Sequence, residues 1–249
     1  LEIGEDSRIL LDCGLTGLRN KDDILKCAAW LEEKGGVDAV LLSHADLDHI
    51  GALPILFGAL GIANVPVICT LPVLKMGQLA LYDCSLNSSM EGNSAEGGIF
   101  SLDDIDRALS DVITVKFNQT VSLHELTKSG KTGNISICAY PAGRTTGGSA
   151  WRCKFTNGDI LYAMDISLSA NSILHGMPMD AFPIAPSVLI MEGVDSQEQT
   201  AQSANKGQVV DNILNEIMRT VRDEGKVLIP CETAGKTLDL LKVLGQNWE

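Results

Sequence analysis

The chain reads as an α/β protein, and three features predict this. Short apolar runs rich in β-branched residues recur from end to end, segments of helical period alternate with them, and most connections are short and built from turn residues. At 249 residues and 45% hydrophobic content, it can build one large domain, or one domain and part of another.

Strands are predicted at RILLDC, DAVLLSH, VPVICT, ITVKF, NISICAY, AWRCKF, DILYAMD, SVLIME and KVLIPC. Between AWRCKF and DILYAMD stands TNGD, where Asn157 and Gly158 suit a type I′ hairpin turn. Helices are predicted over KDDILKCAAWLEEKG, LPVLKMGQLALYD, SLDDIDRALSDV, VVDNILNEIMRTVRDEG and TAGKTLDLLKVLGQNW, with Gly225 closing the fourth from just past its end. Residues 85–100, SLNSSMEGNSAEGGIF, read as an inserted polar loop. Residues 195–208, DSQEQTAQSANKGQ, read as a linker, which divides the chain into a domain over 1–194 and the opening of a truncated second one over 195–249. The chain opens as strand, turn and strand, with no charged-then-apolar leader, and reads as a piece of a longer protein.

Composition removes several function classes. No apolar run approaches the ~18 residues that span a bilayer, so no membrane partner is expected. The net charge of −13 and pI near 4.7 disfavour a free-standing nucleic-acid binder, which normally carries a basic face. Seven cysteines without a C-x-x-C pair fit buried, reduced thiols in an intracellular protein better than a zinc finger or a disulfide framework. The sequons at Asn87, Asn118 and Asn134 are read as chance.

The chemistry concentrates in SHADLDHIGALP. His44, Asp46 and Asp48 are spaced two apart, so an extended or turning backbone presents them on one side, and His49 follows at a helix start. Convergent nitrogen and oxygen donors suit Zn²⁺ or a similar ion. The same residues also suit a structural role, with Asp46 as an N-cap and Asp48 in the first turn of a helix, and the segment alone does not choose.

This stretch resembles the H-x-H-x-D-H signature of the metallo-β-lactamase family, and flanking pieces fall in that family's order. Asp12 in LLDCG matches its histidine-orienting aspartate, and YPAGRTTGGSAW its next histidine loop. Asp165 in ILYAMD matches the metal-bridging aspartate, and Glu192 in VLIMEG the acidic position that opens the β-CASP extension. LPVLKMGQLALYD, SLDDIDRA, PAGRTTGG and Asp46 itself are similar to the hundred-kilodalton subunits of the cleavage and polyadenylation specificity factor. The resemblance implies an αββα sandwich followed by the start of a β-CASP domain.

It also implies a damaged metal site. In active members one ion is held by the motif's first two histidines and the loop histidine; here those positions are His44, Asp46 and Arg144. The other is held at the positions of Asp48 and His49, with Asp165 bridging both. A carboxylate at 46 can still ligate zinc, but a guanidinium offers only donors and repels a cation. Arg144 is expected to turn inward and pair with Asp46 and Asp165, the alternative being that it swings out to solvent. No cofactor is expected; at most one zinc ion is retained, on Asp48, His49 and Asp165. Ser43 and Asp12 are expected to support the ligands, and Glu192 to orient one or to balance Arg144. His124 and His175 are expected to lie off the site, and Ser43 to be no nucleophile.

The function implied is a non-catalytic pseudo-nuclease subunit of the nuclear pre-mRNA 3′-end cleavage and polyadenylation complex. Its implied partners are a sister nuclease subunit of the same fold, a symplekin-like scaffold, other processing subunits, and pre-mRNA reached through the complex. The alternative is an active metal-dependent RNA endonuclease with a variant site. A third reading, an RNA-binding platform that grips phosphates through Arg144, runs against the net charge.

Overall fold

Sequence and physics meet in a computed structural model that describes residues 1–3, 7–15, 21–62, 64–90, 99–127, 133–168, 174–181, 185–192, 206–233, 235 and 237–247. Among the described residues, ten strands form two five-stranded sheets. The first runs β1 (Glu2–Ile3), β2 (Ser7–Leu11), β3 (Ala39–Leu41), β4 (Val67–Thr70) and β5 (Ile113–Val115), in that spatial order. Its last four strands are parallel. β3 and β4 are buried throughout, as expected of parallel strands covered on both faces. The second sheet runs β6 (Thr120–Ser122), β7 (Ser136–Pro141), β8 (Ser149–Phe155), β9 (Gly158–Ala163) and β10 (Val188–Met191). It is antiparallel except for β10, which lies parallel to β9.

The core lies in layers. Between the sheets, Ile9, Leu41 and Ile68 of the first meet Ile137, Trp151 and Tyr162 of the second. Alternation along β8 sends Trp151 and Cys153 inward and Ala150 to the opposite face, where Leu161, Ala163 and Met177 join it. The indole N–H of the fully buried Trp151 donates to the Leu42 carbonyl at 3.0 Å, a direct tie between the sheets. The other face of the first sheet is covered by helices α1 (Lys21–Glu33), α2 (Leu47–Ile50), α3 (Leu71–Met90) and α4 (Leu102–Leu109), through Ile24, Ile50, Leu81 and Ile105 among others. α4 begins with a capping box: Ser101 accepts from the Asp104 backbone N–H, and the Asp104 side chain accepts from that of Ser101. A short α5 (Leu123–Leu126) seals the sheets from the side, and α6 (Lys206–Arg222) and α7 (Thr237–Gln246) follow. No described helix is long and apolar enough to cross a membrane.

Several expectations shift. α3 continues to Met90, so the first residues of the predicted 85–100 loop are helical, while 91–98 lie outside the described residues. Likewise 206–208 open α6 rather than end a linker, and 195–205 lie outside the described residues. The hairpin closes on the pair Phe155–Gly158, which makes Thr156 and Asn157 its central residues, one position earlier than predicted. After α6, Glu224 and not Gly225 takes the left-handed conformation, at φ 57°. Gly225 instead closes the helix by donating to Thr220 O at 2.8 Å, where a Cβ would meet the Thr220 carbonyl oxygen at 2.9 Å. KVLIPC, predicted as a strand, forms none among the described residues, and Val227, Leu228 and Ile229 are exposed. β10, the predicted strand SVLIME, is an edge strand among the described residues, and its four side chains are all exposed.

Candidate functional site

The motif SHADLDH occupies the turn from β3 into α2, at the end where the parallel strands open. Two close approaches fix that turn. The strap after β2 bonds onto it through Cys13 N–H to His49 O at 2.7 Å and Leu15 N–H to Leu47 O at 2.9 Å. Gly14 is required between them, because a Cβ there would lie 1.6 Å from the Asp48 carbonyl oxygen.

The glycine loop between β7 and β8 closes the site from the second sheet. Ser149 N–H donates to Ser43 O at 2.9 Å, and Thr70 Oγ1 donates to the Gly147 carbonyl at 2.7 Å. Gly148 faces His44 so closely that a Cβ would stand 2.6 Å from Nε2. At the open side, Gly235 and Leu238 join Asp46, Met76 and Thr145 around a small recess, so α7 leans over the motif.

A polar network forms the floor. Asp12 Oδ1 accepts from Ser43 N–H at 2.6 Å, and Oδ2 from the Ser43 hydroxyl at 2.7 Å and from the Tyr162 hydroxyl at 2.6 Å. His49 Nδ1 lies 2.8 Å from the same Oδ2, and His44 Nδ1 lies 2.9 Å from Ser43 Oγ. The two imidazole centroids are 5.0 Å apart. Asp12 and Asp165 both hold left-handed backbone, at φ 59° and 46°, a conformation that non-glycine residues seldom adopt outside over-determined sites.

Above this floor, His44, His49 and Asp165 bring donor atoms within 4.8 Å of one another, the one such group of histidine, cysteine or acidic side chains among the described residues. His44 is fully buried and its Nε2 has no hydrogen-bond partner among the described residues. His49 Nε2 lies 4.0 Å from Asp165 Oδ2 and 3.7 Å from Asp46 Oδ1. Arg144 Nη1 stands 3.1 Å from Asp165 Oδ1. Orphaned Nε2, second imidazole and carboxylate fit one divalent ion, and the donors for a second are not assembled.

Electrostatics separate the two histidines. Burial pushes His44 down to about 4, helped by the neighbouring charges of His49 and Arg144 against the pull of Asp165 and Asp12. Burial opposes the charge on His49 too, but the Asp12 hydrogen bond and the charges of Asp12, Asp46 and Asp165 outweigh it and hold the ring up at about 9. Burial, with the Asp165 charge beside it, raises the Asp46 carboxyl against the pull of His49.

Each sequence candidate therefore has a place. Arg144 turns inward, but onto Asp165 alone, with no ion pair to Asp46 among the described residues. Asp46 occupies the N-cap position of α2 without capping through its side chain. Asp48 is exposed in the first turn of α2 and outside the converging group, so the side chains brought together are His44, His49 and Asp165 and not the expected Asp48, His49 and Asp165. The spacing argument assumed extended backbone through residue 48; one helical step turns that side chain away. Glu192 is exposed and bonds to neither Arg144 nor a histidine among the described residues, because the strand before it is uncovered. Ser43 sits on the floor of the site, and His124 and His175 are exposed away from it. Tyr162 went unnoticed in the sequence, where it reads only as an inward strand residue.

Comparison with known proteins gives a consistent picture. The model of the metallo-beta-lactamase superfamily domain matches residues 1–190. A Drosophila melanogaster protein described as probable cleavage and polyadenylation specificity factor subunit 2 is 38% identical over 246 residues, 98% of this chain and 30% of that protein. The subunit 2 protein of Oryza sativa subsp. japonica is 34% identical over 97% of this chain and 30% of its own length. Cleavage factor two protein 2 of Schizosaccharomyces pombe is 26% identical over 85% of this chain and 25% of its own length. The chain thus spans less than a third of each of these relatives.

Proposed function

Because the chain belongs to the metallo-β-lactamase superfamily, with 38% identity to a protein described as a cleavage and polyadenylation factor subunit, we propose that it is part of a non-catalytic subunit of the pre-mRNA 3′-end cleavage and polyadenylation complex. One observation carries the loss of catalysis: Arg144 Nη1 lies 3.1 Å from Asp165 Oδ1. In this reading a fixed guanidinium occupies the loop position where an active site of the family needs a neutral imidazole, and it neutralises the carboxylate that would bridge two ions. Two-ion hydrolysis depends on clamping both the attacking and the leaving oxygen, and a site with donors for one ion lacks that clamp.

If an ion is retained, His44, His49 and Asp165 hold it, and it supplies Lewis acidity. The residues themselves then orient donors and exclude water from His44. The protein works in the nucleus beside a sister nuclease subunit of the same fold, a symplekin-like scaffold and other processing subunits, and meets pre-mRNA through them. The β-CASP domain opens with the segment after residue 195. The net charge of −13 supports a role through protein partners rather than direct grip on RNA.

Elemental analysis of protein purified without chelator or metal-binding tag tests this, run on this chain and on its longer parent protein. No more than one equivalent of metal, with no RNA cleavage, is the expected result. Two equivalents together with cleavage of an RNA substrate would replace the reading with that of an active endonuclease.

A further inference from the structure

Counting protons on the floor of the site fixes something the distances alone leave open. Ser43 has a single hydroxyl proton, and it goes to Asp12 Oδ2 at 2.7 Å. Toward His44 Nδ1, 2.9 Å away, the serine oxygen can then only accept, so that nitrogen carries the hydrogen. His49 Nδ1 faces two acceptors, Asp12 Oδ2 at 2.8 Å and Ser43 Oγ at 3.1 Å, and likewise carries one. The opposite assignment for His44 is costly on two counts. It sets the serine and aspartate oxygens against each other as bare acceptors, and it places an N–H on the buried Nε2, which has no acceptor.

We propose that Ser43 and Tyr162 are positioning residues that, through Asp12, hold His44 and His49 with hydrogen on Nδ1 and so turn the Nε2 atoms toward Asp165. Tyr162 stands on β9 while Asp12 follows β2, so its 2.6 Å bond is the contribution of the second sheet to the carboxylate's orientation. Ser43 then passes that orientation to both rings at once. Gly148 keeps the space before His44 Nε2 clear. The result is a pocket in which His44 Nε2 offers a lone pair beside His49 and the Asp165 carboxylate, an arrangement that accepts a divalent cation or an N–H donor. This goes beyond the functional assignment above and holds for an active or an inactive subunit alike.

Nitrogen-15 NMR of histidine-labelled chain, freed of metal with chelator, tests it on the parent, Ser43→Ala and Tyr162→Phe. In the parent, His44 is expected as a single tautomer with hydrogen on Nδ1. In Ser43→Ala it becomes a mixture. In Tyr162→Phe the Nδ1 proton of His49 exchanges with water roughly two- to tenfold faster, the scale of one lost hydrogen bond. Hydrogen on His44 Nε2 in the parent, or parent-like nitrogen shifts and proton exchange in both variants, would overturn the proposal. Tyr162→Phe removes one oxygen atom, so it carries the test if Ser43→Ala fails to fold.

Discussion

Arg144, in the loop between β7 and β8, and Asp165, just after β9, form an ion pair at 3.1 Å at the mouth of the site. The carboxylate is thereby shared: one oxygen faces the guanidinium, the other faces His49 Nε2 at 4.0 Å. A cation arriving at this site meets a positive charge already installed.

Arg144→His removes that charge and adds a donor, so Zn²⁺ affinity should rise. Two unit charges ~4 Å apart interact by about 4 kcal/mol at an effective dielectric of ~20. Arg144 is 39% exposed, so solvent screening cuts this to about tenfold in affinity. Isothermal titration of the two proteins gives the answer, and equal affinities would mean that Arg144 is no counter-charge.

Gly148→Ala places a methyl group 2.6 Å from His44 Nε2 and 2.7 Å from Thr145 Oγ1. Thr145 can rotate, but His44 is fully buried. A destabilisation of about 1–3 kcal/mol in urea is expected. Adding His44→Ala should recover most of it, and strict additivity in that double-mutant cycle would refute the contact.

The histidines predict a two-sided pH dependence for metal-free protein. His49, raised to about 9, contributes stability that is complete below its unfolded value near 6.5 and is lost as pH climbs through 9. His44, lowered to about 4, works in the other direction: the unfolded chain takes up its proton first, so stability falls as pH drops from 6.5 toward 4. Denaturation midpoints should therefore peak between these limits. Asp12→Asn should flatten the alkaline side and, because the Asp12 charge also pulls His44 upward, deepen the acid side.

Trp151→Phe keeps most of the buried ring but deletes the N–H that serves the Leu42 carbonyl. A loss of about 1–3 kcal/mol follows from a buried acceptor left without its donor. Thermal or urea unfolding measures it, and a neutral result would show that the tie between sheets contributes nothing.

Much of this site was legible as sequence because its chemistry is local. His44 and His49 lie five residues apart in one turn, and Asp165 and Arg144 sit beside strands whose apolar runs are plain to see. What escaped was geometry at long range or across a change of period. Tyr162 reaches Asp12 over 150 positions, a contact that no pattern within β9 announces. Asp48 shares its neighbours' spacing but falls after the backbone has turned helical. The exposed edge of β10 has the same cause: an apolar run records a preference for burial but does not name what does the burying. The polar end of α3, Ser85 to Met90, reads as loop by composition, yet the helix continues through it.

The left-handed backbone at Asp12 and Asp165 changes what substitution there can reveal. Among residues other than glycine, asparagine and aspartate tolerate that conformation best, whereas alanine is disfavoured by about 1–2 kcal/mol. Alanine at either position confounds two losses, the carboxylate and an acceptable main-chain geometry, so conventional scanning would overstate what the charge contributes. Asparagine keeps the chain path, removing the charge and turning one acceptor oxygen into a donor. At these two positions the isosteric amide is the better control, because it leaves the main-chain geometry acceptable where alanine does not.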